Sequence, residues 1–285
     1  MSAKLRIGII TAVSAAVLAA AAALVTNKAN DRGELTTKGV SDAVDASTLS
    51  SASEARVFFA HQSVGANLID GISSAYAAKD QGPPEIVEIT TSEAPELPAA
   101  GGVLAHAFIG VNGDPEGKLE AFDTLMRSGM GDQVDVALIK FCYIDINANT
   151  DVDELFTKYQ QTLSALERDF PEVTFLHVTT PLTTAPGFKG RVKSMLGRGN
   201  PIAADNATRE QYNTLVRGTY DDTQLYDLAA FESTAPDGSR TSGSYKGAPY
   251  YTLYEGYSID EGHLTPMASQ LAGSQLLTFI NQATA

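Results

Sequence analysis

The chain has 285 residues, 44 % of them apolar, enough to bury the core of one generous domain or two small ones. Its formal charge of −14 excludes a partner gripped by its phosphate backbone, which needs a stripe of Lys and Arg that this sequence lacks. The single cysteine, Cys142, excludes an intramolecular disulfide, and its place in the apolar run 136–143 makes it a small buried hydrophobe.

At the N-terminus, Lys4 and Arg6 precede an uncharged run over 7–25 rich in Ala, Val, Ile and Leu. A basic start followed by an apolar stretch is the pattern of an export signal or of an N-terminal anchor that tethers the chain to the membrane. Either reading puts the working part outside the cytoplasm. Residues 1–26 are therefore expected to be the export segment. Residues 27–54, rich in Ser, Thr, Asp and Ala with no period, read as a linker. Residues 55–285 form the folded domain.

The first strand is expected over 56–60, followed by the turn His61-Gln62-Ser63. A helix over 64–78 comes next, with Val64, Leu68, Ile69 and Ile72 on one face. Segments 85–91 and 103–109 are both strand-like, and either fits as the second core strand. Leu119, Phe122, Leu125 and Met126 mark a helix, and 134–141 reads as a strongly apolar strand. Val152, Leu155, Phe156, Tyr159, Leu163 and Leu166 recur at helical spacing. Strands over 173–178 and 223–228 bracket a helix over 209–220. Residues 232–257 break into Gly, Ser, Tyr and Pro, an irregular stretch of the length that often serves function. Thr265-Pro266 then supplies a cap and a first-turn proline for a helix to 281. Apolar runs alternating with amphipathic stretches predict an α/β fold with a mostly parallel central sheet.

Ser63 falls where a strand gives way to a helix, the carboxyl-end position at which open α/β sheets bind ligands. Free amides of the helix N-terminus favour negative charge developing there, although a serine in that place also serves as a plain cap. A serine hydroxyl needs a base, and the base needs an orienting group. Asp260 and His263, three residues apart on one loop, have the spacing to touch through their side chains. His61, two residues before Ser63, either faces the substrate or ties the turn down through its ring nitrogens. His106 and His177 lie in apolar strand-like runs and read as core residues. None of the four histidines has metal-ligand spacing, and no phosphate-cradling or dinucleotide motif is present, so neither metal nor cofactor is expected.

With its flanks, Asp260-x-x-His263-Leu264-Thr265-Pro266 near the C-terminus resembles the last conserved block of the SGNH/GDSL hydrolases. Phe59-Ala60-His61-Gln62-Ser63-Val64-Gly65 stands where that family carries its serine, and Gly110-Val111-Asn112-Gly113-Asp114-Pro115 resembles its second block. The resemblance runs from about Arg56 to the C-terminus. It implies a flavodoxin-like three-layer α/β/α sandwich and a Ser63–His263–Asp260 triad, with the amides of Ser63 and Gly113 in the oxyanion hole. Two departures stand out. His61-Gln62 replaces the family's Gly-Asp before the serine, and Cys142-Tyr143-Ile144-Asp145 replaces its Gly-x-Asn-Asp. The third oxyanion donor is thus missing from its aligned position, and Asn147 is the nearest substitute.

The expected activity is removal of acetyl or other short acyl groups from a carbohydrate outside the cytoplasm. The Tyr-rich stretch 245–257 either stacks on sugar rings or packs the domain. An O-acyltransferase using the same three residues is one alternative. A non-catalytic carbohydrate-binding or assembly protein on a degenerate hydrolase fold is the other.

Overall fold

The computed structural model describes residues 44–187 and 201–284. All of them belong to the compact unit Val40–Ala285. The export segment expected over 1–26, and the linker as far as residue 43, lie outside the described residues. Among the described residues no helix is long and apolar enough to cross a membrane.

The later part of the expected linker is not loose chain. Helix α1 (Ala46–Ala52) is capped by Asp45, whose carboxylate accepts from the Thr48 amide, and it buries Leu49 and Ala52. A short helix with two buried apolar residues escapes a reading based on period alone. The strands and helices that follow agree with the alternation. They are β1 (Arg56–His61), α2 (Ser63–Ala77), β2 (Glu85–Glu88), β3 (Val103–Phe108), α3 (Pro115–Leu125), β4 (Val136–Ile139) and α4 (Val152–Asp169). Then come β5 (Thr174–Val178), α5 (Pro201–Thr219), β6 (Leu225–Tyr226), α6 (Leu228–Ser233), β7 (Ser242–Tyr245), β8 (Ala248–Tyr251) and α7 (Pro266–Ala283).

The six-stranded sheet has the order β2-β3-β1-β4-β5-β6, and every pairing in it is parallel. Without the edge strand β2, this is the 2-1-3-4-5 order of flavodoxin-like sheets. Of the two candidates for second core strand, 103–108 pairs directly with β1, from Arg56 against Val103 to His61 against Phe108. Glu85–Glu88 lies at the edge, with its two glutamates exposed, which suits a strand paired on one side only.

Parallel strands need crossovers, and these cover both faces of the sheet, giving three layers. Helices α1, α2 and α7 pack together on one face, and α3, α4 and α5 on the other. Phe58, Ala60, Val103 and Ala105 meet Phe122, Leu155, Phe156 and Tyr212 in the core beneath α3, α4 and α5. On the opposite face α2 and α7 come close enough for backbone contact. A Cβ on Gly71 would overlap the Ser269 carbonyl, and one on Gly273 would overlap the turn at Gly71-Ile72. The stretch 232–257 is less irregular than its composition suggested, because β7 and β8 form an antiparallel hairpin turned through Lys246 and Gly247.

Candidate active site

The order of strands reverses at β1, whose sheet neighbours are β3 and β4, so the loops after those two strands part around its carboxyl end. Ser63 is the first residue of α2 there, half-buried, with Gln62 in extended conformation as the N-cap. The side chain of Gln62 does not cap the helix. It donates to the carbonyls of Ile109 (2.8 Å) and Gly110 (3.2 Å), tying the loop after β3 to the serine turn.

Ser63 and His263, 200 residues apart in sequence, form with Asp260 one chain of hydrogen bonds. Ser63 Oγ lies 2.9 Å from His263 Nε2, and His263 Nδ1 lies 2.7 Å from Asp260 Oδ2. A carboxylate only accepts, so Nδ1 carries the proton and the lone pair of Nε2 faces the serine hydroxyl. The other oxygen of Asp260 accepts from the amides of Gly262 and His263, both at 2.8 Å. Partial burial opposes ionisation of Asp260, but those two amides and the His263 ring outweigh it and hold the carboxyl down at about 2. In chemical terms the arrangement can take a proton from a serine and keep the resulting imidazolium oriented.

The loop bearing Asp260 and His263 is held from three sides. The Leu264 amide donates to Asn67 Oδ1 of α2 at 3.2 Å, and the Thr184 amide donates to the Glu261 carbonyl at 2.9 Å. Gly262 lies against the ring of Tyr143, which also faces the His263 ring edge-on with centroids 6.0 Å apart. Arg209 of α5 in turn donates through Nε to the Tyr143 carbonyl at 2.6 Å and through a terminal nitrogen to Asn206 Oδ1 at 2.7 Å. Asn67, Tyr143 and Arg209 were not among the expected site residues. Their partners lie on distant elements, and no local spacing announces them.

Three expected roles are not met. The amide of Gly113, expected to serve an oxyanion, donates to Asp145 Oδ1 at 2.8 Å. Gly113 does hold a positive φ of 90°, as a tight turn there requires. Asn147, the expected substitute donor, is used locally. Its side-chain oxygen accepts from the Asn149 amide and its own amide donates to Thr150 Oγ1, a turn leading into α4. His61 has no exposed surface to offer a substrate. Its Nδ1–H donates to the Gln62 carbonyl (2.8 Å), which leaves Nε2 to accept from Nδ1 of His106 at 3.1 Å. Burial pushes the His61 ring down to about 3 and lowers His106 as well, so both stay neutral. His61 therefore ties the serine turn to β3, the structural alternative of the sequence reading.

Asp145, in the loop after β4, is a junction of the two loops. It is buried, and it accepts from the amides of Gly113 and Cys142 and from Lys118 Nζ at 2.6 Å. Lys118 is equally buried and also donates to Asn112 Oδ1 at 2.9 Å. The charge pair and its hydrogen bonds fix the loop after β3 against the loop after β4, on either side of Ser63. Ile144, in the place of the family's asparagine, is exposed instead.

The tyrosines of 245–257 chiefly pack the domain. Tyr250 and Tyr257 are buried, Arg240 lies 3.4 Å over the ring of Tyr251, and Tyr254 meets Tyr257 edge-on. Cys142 is buried and free. Among the described residues no group of His, Cys, Asp and Glu is arranged to hold a metal ion.

No family model matches the chain, and no curated protein matches it. Among solved structures it is similar to a Streptococcus pneumonia protein described as a platelet activating factor, at 13 % identity and TM-score 0.44, covering 92 % of this chain and 99 % of that one. It is also similar to the periplasmic domain of a lipopolysaccharide acetyltransferase from Salmonella ser. Paratyphi A, at 12 % identity and TM-score 0.40, covering 77 % and 80 %. At such scores neither likeness carries an argument. Fold and site rest on the chain's own topology and geometry.

Proposed function

We propose that the chain is an exported serine ester hydrolase that removes an acyl group from a carbohydrate. The observation that carries this reading is the hydrogen-bonded series Ser63–His263–Asp260 at the carboxyl end of β1. The apolar run 7–25 supports export, and the block resemblance supports ester chemistry.

In this mechanism His263 Nε2 takes the hydroxyl proton as Ser63 Oγ attacks the ester carbonyl. Asp260 stabilises the imidazolium and keeps the ring in place. The Ser63 amide at the start of α2 offers a donor to the oxyanion, with Gly113 committed elsewhere. The leaving alkoxide takes the proton from His263, and an acyl-enzyme remains. Water activated by His263 then releases the acid. The side chains of His263 and Asp260 are 29 % and 51 % exposed, so solvent reaches the base. That openness favours hydrolysis over transfer to a second alcohol, which needs water kept out.

The test is hydrolysis of an activated acetyl ester by purified protein, wild type against Ser63→Ala. Loss of turnover in a folded variant is the expected result; equal rates would sink the assignment.

A further inference from the structure

The large apolar side chains left exposed among the described residues are Phe108, Val111, Ile144 and Ile259, at 48, 71, 49 and 63 %. All belong to the strand end and the loops around the Ser63–His263–Asp260 series. Phe108 ends β3, with its ring centroid 4.8 Å from that of His61. Val111 belongs to the loop that Gln62 ties to the serine turn. Ile144 follows Tyr143, the residue packed on His263. Ile259 precedes Asp260, and its amide donates to the His263 carbonyl at 3.0 Å. Because β3 and β4 are the two neighbours of β1, the first two side chains and Ile144 come from loops on opposite sides of Ser63.

Single exposed apolar residues are ordinary, but a set gathered at one place marks a binding surface. Phe108 also borders a cleft of about 640 Å³ between the end of β3 and α3, but the exposed lining of that cleft is largely polar, with Glu88, Thr90, Ser92 and Glu120, while Ile89, Ile109 and Leu125 are buried beneath it. The charge around the exposed apolar set restricts what it receives. Asp114, Asp260 and Glu261 are exposed among these residues, in a chain of net charge −14, so an anionic bilayer surface is repelled.

We infer that the ester taken at Ser63 carries an uncharged alkyl acyl chain longer than acetyl, laid over Val111 and Phe108. This rests on the reading of Ser63 as an ester-cleaving serine, and it revises the acetyl expectation. The reaction is unchanged: Ser63 Oγ bonds to the acyl carbon as the ester C–O bond breaks. Water then cleaves the acyl-serine bond, so ester and water give acid and alcohol.

The experiment compares kcat/KM for p-nitrophenyl acetate, butyrate and octanoate below their aggregation limits. It uses the full chain, Phe108→Ser and Val111→Ser, with phosphonate labelling of Ser63 in parallel. The wild-type octanoate-to-acetate ratio is expected to be about tenfold or more, since each methylene seated in an apolar site adds discrimination. Each variant should lower that ratio by about fivefold, by the same loss of apolar contact. A wild-type ratio at or below one, or a ratio unmoved by both variants, overturns the chain-length inference while acetate turnover leaves the Ser63 reading standing. Turnover found only with aggregated ester also overturns it, since the occupant is then a surface. No turnover of any ester and no adduct overturns both.

Discussion

The hydroxyl of Ser63 lies 2.9 Å from Nε2 of His263, on a loop that α2, Tyr143 and Thr184 hold in place. Removing the base tests what this contact does. His263→Ala is expected to lower kcat for an activated ester by about 10³-fold or more, because a positioned base contributes about 10²–10⁴ and acts jointly with the nucleophile. Asp260→Asn should lower it by about 10²–10⁴ through loss of the tautomer, with the thermal midpoint little changed at this exposed position. Steady-state kinetics on folded variants measures both.

Asp260 also makes a pH prediction. Its carboxyl is depressed to about 2, so it stays ionised until pH falls through that value. Its contribution to orienting His263 is present above the ordinary carboxylate range and is lost only toward pH 2. A pH–rate profile in acid should therefore show no inflection from Asp260 between pH 3 and 5. Asp260→Asn should lower the plateau of that profile, because the ring loses its orienting acceptor.

The Lys118–Asp145 pair should behave as a buried charge network. Both side chains are 0 % exposed, so Lys118→Met strands an ionised carboxylate in the interior. The expected cost is about 3–5 kcal/mol of unfolding free energy. Lys118→Met with Asp145→Asn should recover part of it, because the stranded charge is gone and an acceptor remains for the Gly113 amide. Denaturant titration of the three proteins measures the difference.

Gly65 sits one turn into α2, where any Cβ would run into the ring of buried His61. Gly65→Ala should cost about 1–3 kcal/mol through overpacking. Because His61 anchors the serine turn, the same variant should lower kcat more than it raises KM. Matched thermal and kinetic measurements would separate the two effects.

Glu232 is fully buried, with one oxygen accepting from the Leu182 amide at 2.6 Å and the other unpartnered. Burial raises its carboxyl from 4.5 to about 8, against the pull of the Leu182 amide, Lys140 and Arg209. The folded state then binds an extra proton between those values. Its stabilising contribution is present below 4.5 and is lost as pH rises through about 8. His61 and His177, held at about 3 by burial, act the opposite way below 6.5. The test is therefore a difference: the thermal midpoint of Glu232→Gln relative to wild type should rise steadily from pH 5 to pH 8. A constant offset would contradict the titration of Glu232.

Much of this was legible in the sequence, for physical reasons that differ by element. Phe58, Phe122, Leu155 and Leu163 belong to patterns set by burial on both faces of a sheet or on one stripe of a helix, so the layered fold follows from periodicity. Asp260 and His263 are three residues apart on one turn, so their contact is local and readable. Their meeting with Ser63 depended on the switch of strand order at β1. The loop contacts were hidden. Asp145 draws the Gly113 amide away from the expected oxyanion role, and Asn147 is spent on its own turn. Such hydrogen bonds join residues with no fixed spacing. Helix α1 was missed because two buried residues, Leu49 and Ala52, make no detectable period.

The central claim is that Ser63 is a nucleophile activated by His263. It is tested most directly by exposing the protein to a serine-directed alkyl fluorophosphonate and locating the adduct by mass spectrometry. The account predicts one adduct per chain, on Ser63, formed rapidly in the wild type and slowed by about 10²-fold or more in His263→Ala. A folded wild-type protein that stays unmodified at Ser63, or is modified equally fast without His263, would contradict it.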